Sequence, residues 1–201
     1  PAISAKFMYA YLEGQIAELN PAYAVIDCNG VGYEVNISLN TFSSIKDKER
    51  VRLYTHLVVR DDAQMLYGFA EESERTLFRH LITVTGIGPS TARMILSSMT
   101  PVELISAIAS GNEEILKRVK GIGTKTAQRI LIELKDKVGK VTTSQGSLPV
   151  LGNRNLEEAL SGLVILGFSK TLVQRALEKI VSTRGDSISV EEMIKEALKV
   201  L

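Results

Sequence analysis

Two glycine pairs are the residues best placed to do chemistry in this chain. Val84-Thr85-Gly86-Ile87-Gly88 is repeated 35 residues later as Val119-Lys120-Gly121-Ile122-Gly123, and in each copy an alanine follows the second glycine by four residues, as Ala92 and Ala127. A Gly-apolar-Gly turn that opens a helix leaves the first backbone N–H groups pointing at solvent, with no side chain in front of them. Those groups, at the positive end of the helix dipole, suit a phosphate. Glycine fits the task because any Cβ would hold the phosphate away, and because the turn can need positive φ. One copy alone reads equally well as a tight helix–helix turn without a ligand. Two copies with matched apolar and alanine positions, beside a basic cluster, favour a helix-hairpin-helix pair that grips DNA backbone.

The basic cluster is local. Net charge is only +1 over 201 residues, but residues 117–140 carry 8 Lys and Arg against 2 Asp and Glu, around the second Gly-Ile-Gly. Residues 1–70 are acidic by comparison, 6 against 8. A basic patch beside an acidic segment orients a polyanion as well as attracting it. Lys125 and Arg129, four residues apart, share one face of the helix that the second hairpin opens and can reach neighbouring phosphates. Lys117, Arg118 and Lys120 precede the hairpin and rank lower. Contacts of this kind are blind to sequence and weakened by salt.

Other chemistries find less support. Gly123-Thr124-Lys125-Thr126 is similar to the end of a phosphate-binding P-loop, but that motif needs Gly at position 118, which is Arg. The single Cys28 excludes an internal disulfide and a thiolate metal cluster. His56 and His80 lack carboxylates at zinc spacing, so no metal and no cofactor is expected. Lys125 as a Schiff-base lysine of a glycosylase-lyase is the enzymatic alternative, but such an enzyme needs aromatic wedges and a base pocket. Here aromatics are 5% and Trp is absent. Single-strand binding by stacking is a third reading; the tyrosines alternate with apolar residues as core positions do, which speaks against it. Asp61-Asp62, taken by residue type alone, reads as ordinary turn chemistry.

The elements that must position these residues fall into segments of different texture. Residues 8–69 alternate as five short strands (8–19, 23–28, 31–37, 50–60 and 64–69), with Asn29-Gly30 demanding a type I′ hairpin. A small OB-like β-barrel is the expected outcome. From residue 70 to 140 the period becomes helical, with helices at 74–83, 90–98, 100–110, 112–119 and 124–138. Thr100-Pro101-Val102-Glu103 predicts an N-cap, a Pro at the first helical position and a capping box. Residues 141–154, rich in Gly, Ser and Thr, read as a flexible linker that begins near 139. Beyond it, 155–201 holds three short amphipathic helices (156–166, 170–182 and 190–200). The fold class is therefore α+β and multidomain: barrel, tandem helix-hairpin-helix, three-helix bundle. No transmembrane run or signal peptide is evident. Met8 reads as the natural start with residues 1–7 as an added remnant, and the cytoplasm is the expected compartment.

Four stretches carry a more specific likeness. Tyr54-Thr-His-Leu-Val-Val-Arg-Asp-Asp-Ala-Gln-Met-Leu-Tyr-Gly-Phe69, Glu74-Arg-Thr-Leu-Phe78, Gly86-Ile-Gly-Pro89 and Gly121-Ile-Gly-Thr-Lys-Thr-Ala127 resemble the bacterial Holliday-junction RuvA family. The order of segments across 8–201 is also similar to that family, and Leu166-Gly167-Phe168 resembles its Leu-Gly-aromatic turn, in a bundle that is UBA-like. The resemblance implies a homotetramer that holds a four-way DNA junction open in recombination and repair. It implies that Gly86, Gly88, Gly121, Gly123 and Lys125 bind backbone, and that 155–201 engages the hexameric ATPase RuvB, with the RuvC resolvase in a larger complex. ATP hydrolysis then belongs to the partner, and this chain has no catalytic residue. The resemblance also turns Asp61 and Asp62 into an acidic pin at the crossover, where like charges repel phosphates and keep the strands mobile. The family's usual pair is Glu then Asp; Asp61 keeps the sign on a shorter side chain. Thr124 stands where many members carry Lys.

Overall fold

A computed structural model describes residues 8–142, 151–184 and 188–201. Five strands, β1 (Tyr11–Leu19), β2 (Tyr23–Asp27), β3 (Gly32–Ile37), β4 (Arg50–Val59) and β5 (Gln64–Phe69), close a barrel in the order β1-β2-β3-β5-β4. All pairings are antiparallel except β3 with β5, which is parallel through Asn36 and Tyr67. That mixture and order give the OB-like barrel expected. The predicted β2–β3 turn forms with both central residues at positive φ, Asn29 at 56° and Gly30 at 90°. Leu12, Ala24, Ile26, Val35, Ile37, Val51 and Leu53 fill the interior from alternate positions.

One element was not anticipated. Helix α1 (Leu39–Ile45) joins β3 to β4, capped by the Ser38 hydroxyl, which accepts the Thr41 N–H. Its buried residues are Thr41 and Ile45, so half of its inward face is polar and the apolar period is weak. The reason lies elsewhere in the chain. Glu74 is 3% exposed, and its carboxylate accepts hydrogen bonds from the Ser38 and Thr41 hydroxyls. Thr41 in turn accepts the Ala70 N–H at 3.1 Å. Burial pushes the Glu74 pKa up while the two hydroxyls pull it down, and burial wins.

Glu74 belongs to α2 (Glu72–Leu81), the first of five helices that follow the barrel, with α3 (Pro89–Ser98), α4 (Pro101–Ala109), α5 (Glu113–Lys117) and α6 (Thr124–Thr142). The capping box of α4 forms as predicted between Thr100 and Glu103. Leu77, Phe78, Leu81, Ile95, Leu96, Leu104, Ile130 and Leu134 make one core that runs on to Tyr67 and Phe69 of β5. Polar ties fasten α3 to the barrel: Arg93 Nη1 donates to the Ala22 carbonyl and Asn36 Oδ1, each at 2.9 Å, and Asn40 Nδ2 donates to the Leu96 and Met99 carbonyls at 2.6 and 2.9 Å.

The tyrosines are mostly not core, contrary to the alternation argument. Only Tyr67 is buried; Tyr11 is 50% exposed. The outer strand positions are nevertheless taken. The Arg52 guanidinium lies 4.6 Å from the Tyr11 ring centre and that of Arg75 lies 5.2 Å from Tyr54.

His56 on β4 is buried edge-on against Phe78 at 5.4 Å. Burial, then the positive Arg79 and Arg75, lower its pKa from 6.5 to about 4. In the unfolded chain His56 binds its proton at the higher pKa, so its contribution to stability is complete above pH 6.5. It declines as the pH falls towards about 4. Urea titrations of the wild type across that window should lose on the order of 2 kcal/mol more than those of His56→Gln. Parallel pH profiles for the two proteins would contradict the assignment.

The remaining helices, α7 (Leu151–Ile165), α8 (Lys170–Arg184) and α9 (Val190–Ala197), form a second compact unit with its own core of Ala159, Leu163, Val173, Leu177, Met193 and Ala197. The expected linker is narrower than composition suggested. α6 continues to Thr142 and α7 begins at Leu151, so residues 139–142 and 151–154 are helical. A single helical glycine costs only about 1 kcal/mol, and Gly139 and Gly152 are carried inside long helices. Residues 143–150 lie outside the described residues. Among the described residues no single helix is long and apolar enough to cross a membrane.

Candidate nucleic-acid interface

The two Gly-Ile-Gly segments have the same backbone wiring at the 35-residue offset. Val84 N–H bonds the Leu81 carbonyl and Val119 N–H bonds that of Leu116, at 3.0 and 3.1 Å. Ile87 pairs back to Val84 and Ile122 to Val119, both at 3.0 Å; Ala92 pairs to Gly88 and Ala127 to Gly123, both at 2.9 Å. The side chains at Leu81 and Leu116, Val84 and Val119, Ile87 and Ile122, Ala92 and Ala127 are all buried. Each hairpin is thus nailed down by its valine and isoleucine, which leaves the glycines outermost.

The four glycines divide into two kinds. Gly86 and Gly121 have φ of 93° and 90°, so the turn itself requires them. Gly88 has φ −87°, and Gly123 lies outside the left-handed region. A Cβ at either position would meet nothing within 4 Å. Neither packing nor backbone conformation therefore demands glycine at these two sites. They head α3 and α6, and no side chain caps the N-terminus of α3, where Pro89 follows Gly88. Ser38, Thr100, Asn112 and Ser189 do cap α1, α4, α5 and α9. The open N–H groups of α3 are available to an anion.

The basic residues separate by how they are held. Lys125, Lys120 and Arg118 are exposed. Lys117 is drawn away by Glu114 at 2.6 Å and Glu113 at 3.8 Å, which raise its pKa. Arg129, four residues after Lys125, donates from Nη1 to the Thr85 carbonyl of the first hairpin at 3.2 Å. Lys137 makes a second tie, from Nζ to Thr83 Oγ1 at 3.2 Å. These contacts bring the hairpins together across 44 and 54 residues. Helical spacing places Arg129 and Lys137 on α6 but carries no signal of such a partner.

Asp61 and Asp62 sit at the exposed tip of the β4–β5 hairpin. Val59 pairs with Gln64, and Arg60 N–H closes the turn on the Ala63 carbonyl at 2.8 Å. Neither carboxylate has an ion-pair partner among the described residues, and both side chains are exposed to solvent. Among the described residues no group of three or more His, Cys, Asp and Glu could hold a metal. The arrangement is one of open backbone N–H groups, exposed cations and a separate acidic projection.

Comparison with known proteins agrees with this architecture. Residues 8–68 match the model of the RuvA N terminal domain, 78–136 that of a SAM-like helix-hairpin-helix tandem, and 154–201 that of the RuvA C-terminal domain. The chain is 53% identical to the Holliday junction branch migration complex subunit RuvA of Christiangramia forsetii, over 96% of this chain and 100% of that one. It is 49% identical to the subunit of that name from Bacteroides fragilis, over 96% and 99% of the two chains, and 44% identical to that of Porphyromonas gingivalis, over 96% and 100%. Barrel, doubled hairpin, tail and these likenesses together place the chain in the RuvA family.

Proposed function

We propose that this chain is the non-catalytic, junction-binding subunit of a branch-migration complex. It binds four-way DNA junctions as a homotetramer through sugar-phosphate contacts and recruits the RuvB ATPase, with RuvC as a further partner. Gly86, Gly88, Gly121 and Gly123 provide the backbone grips, Lys125 and Arg129 supply cations, and Asp61 and Asp62 stand at the crossover. In this division of labour the barrel (8–69) carries the acidic pin, 70–140 carries the grips and 155–201 meets the motor.

The observation that carries the reading is the freedom at Gly88 and Gly123. Space kept open over helix N-termini, at glycines the fold does not require, suits a ligand that must approach the backbone closely. Single-strand binding by stacking is disfavoured, because Tyr11 and Tyr54 already carry arginines. Gel shifts with four-way junction, linear duplex and single strand at one salt concentration, with particle mass measured on the same sample, test the proposal. Preference for the junction by a tetramer is expected. Equal affinity for junction and duplex would sink it.

The acidic turn has its own expected result. Asp61→Asn/Asp62→Asn removes the repelling charges from a tip whose backbone closure is independent of them. Junction affinity should be unchanged or rise by about threefold, while the rate of strand separation at the crossover changes. Loss of junction binding would make the pair structural.

A further inference from the structure

Arg129 starts on the helix of the second hairpin and ends on the first. Besides its bond to the Thr85 carbonyl, Nη1 lies 3.7 Å from where a Cβ on Gly86 would stand, so the guanidinium covers the backbone of the residue that turns the first hairpin. Lys137, eight residues further along α6, reinforces the tie at Thr83. The 35-residue repeat gives neither bond a mirror image. Met94 stands at the position matching Arg129 and Lys120 at that matching Thr85; Val102 and Arg118 match Lys137 and Thr83. Two otherwise equivalent hairpins are joined by a one-way contact present in only one copy.

We propose that Arg129 is a positioning residue, a strut that fixes the first Gly-Ile-Gly grip relative to the second so that both engage one stretch of DNA backbone together. The proposal rests on the phosphate-grip reading of the hairpins. A guanidinium suits the task because its donors lie in a rigid planar fork. One edge takes the carbonyl while the rest of the fork keeps its donors for a phosphate. An ammonium carries the same charge on a single atom without that fork. Grips held at a set separation bind as one bidentate site, whereas independent grips lose the advantage of the first contact when making the second.

The test uses the full chain with Arg129→Met, the residue of the matching position, and Arg129→Lys. Junction affinity is measured by fluorescence anisotropy over a series of salt concentrations. Each phosphate neutralised contributes ~0.9 to the slope of log K against log salt. A residue that only touches phosphate predicts a slope reduced by ~0.9 per subunit in Arg129→Met and restored in Arg129→Lys. A strut predicts the same change of slope, since the first hairpin grips through uncharged backbone N–H groups. It adds a salt-independent loss of about tenfold in affinity in Arg129→Met, because the first hairpin disengages too, and incomplete recovery of affinity in Arg129→Lys.

Amide exchange on the DNA-free protein gives an independent readout. The Ile87 amide, bonded to Val84, should exchange about tenfold faster in Arg129→Met, while the Ile122 amide, bonded to Val119, is unchanged. Full recovery of slope and affinity by Arg129→Lys, or unaltered exchange at Ile87, overturns the strut. If the wild type does not bind junctions, the grip reading fails instead, and the exchange experiment still decides the strut.

Discussion

Gly88→Ala/Gly123→Ala should lower affinity for a four-way junction by at least a hundredfold while leaving the protein folded. The two added methyl groups meet no atom within 4 Å, and neither position needs a left-handed backbone. The structural cost is that of replacing glycine at two helix starts, no more than about 1 kcal/mol each. Far-UV circular dichroism should be unchanged and Tm should fall by only a few degrees. The cost to binding is different in kind. A hydrogen bond from a backbone N–H to a charged oxygen contributes about 1.5–3 kcal/mol net, and each grip offers more than one. A methyl group in front of those N–H groups forces the phosphate outward by more than the tolerance of such bonds.

The contrasting pair is Gly86→Ala/Gly121→Ala. Here φ of 93° and 90° puts a Cβ in a strained backbone, at roughly 1–2 kcal/mol per site, so stability and binding should fall together. Loss of binding without loss of fold at Gly88 and Gly123, set against joint loss at Gly86 and Gly121, distinguishes a ligand's requirement from a turn's. If Gly88→Ala/Gly123→Ala binds junctions as the wild type does, the helix starts are not where the DNA lies.

That contrast also marks how far sequence could be read. The doubled Gly-Ile-Gly was legible because its determinants are local: the turn glycines, the buried isoleucine and the alanine all fall within nine residues of each other. The Asn29-Gly30 turn was legible for the same reason. Which glycines the turn requires and which it does not was not, since the difference lies in φ and in the surrounding space. Long-range polar contacts were invisible as well. α1 was missed because its inward Thr41 makes sense only beside Glu74, 33 residues on. Arg129 was legible as a cation on α6, but its partner Thr85 is 44 residues away. Alternation misjudged Tyr11 and Tyr54, since a closed barrel has an outer face on which an arginine can cover a ring as well as a core can bury it. Composition misjudged the linker, because Gly139 and Gly152 sit in helices long enough to tolerate them.

The corrected boundary sharpens the second large prediction, that a chain ending at Gln145 binds junctions as well as the full chain but gives no motor stimulation. The described residues of 8–142 and of 151–201 form two compact units, and their cores share no residue. A cut at 155 would leave the first turn of α7 attached to the truncated protein, whereas a cut after 145 removes the helix whole. The tail carries 7 Lys and Arg against 7 Asp and Glu over 151–201, so it adds no net attraction for DNA, and the basic stretch at 117–140 is retained in full. Junction affinity and its salt slope should therefore stay within about twofold of the wild type. Strand movement driven by the hexameric ATPase should fall by at least a hundredfold, to the rate of the motor alone, because tethering supplies the tail at an effective concentration of about millimolar. Free tail added at micromolar concentration cannot replace that tether; it should instead inhibit the full chain by occupying the motor. A truncated chain that loses junction binding would show that the tail belongs to the DNA interface, and one that still stimulates the motor would place the motor contact on the barrel or the hairpin domain.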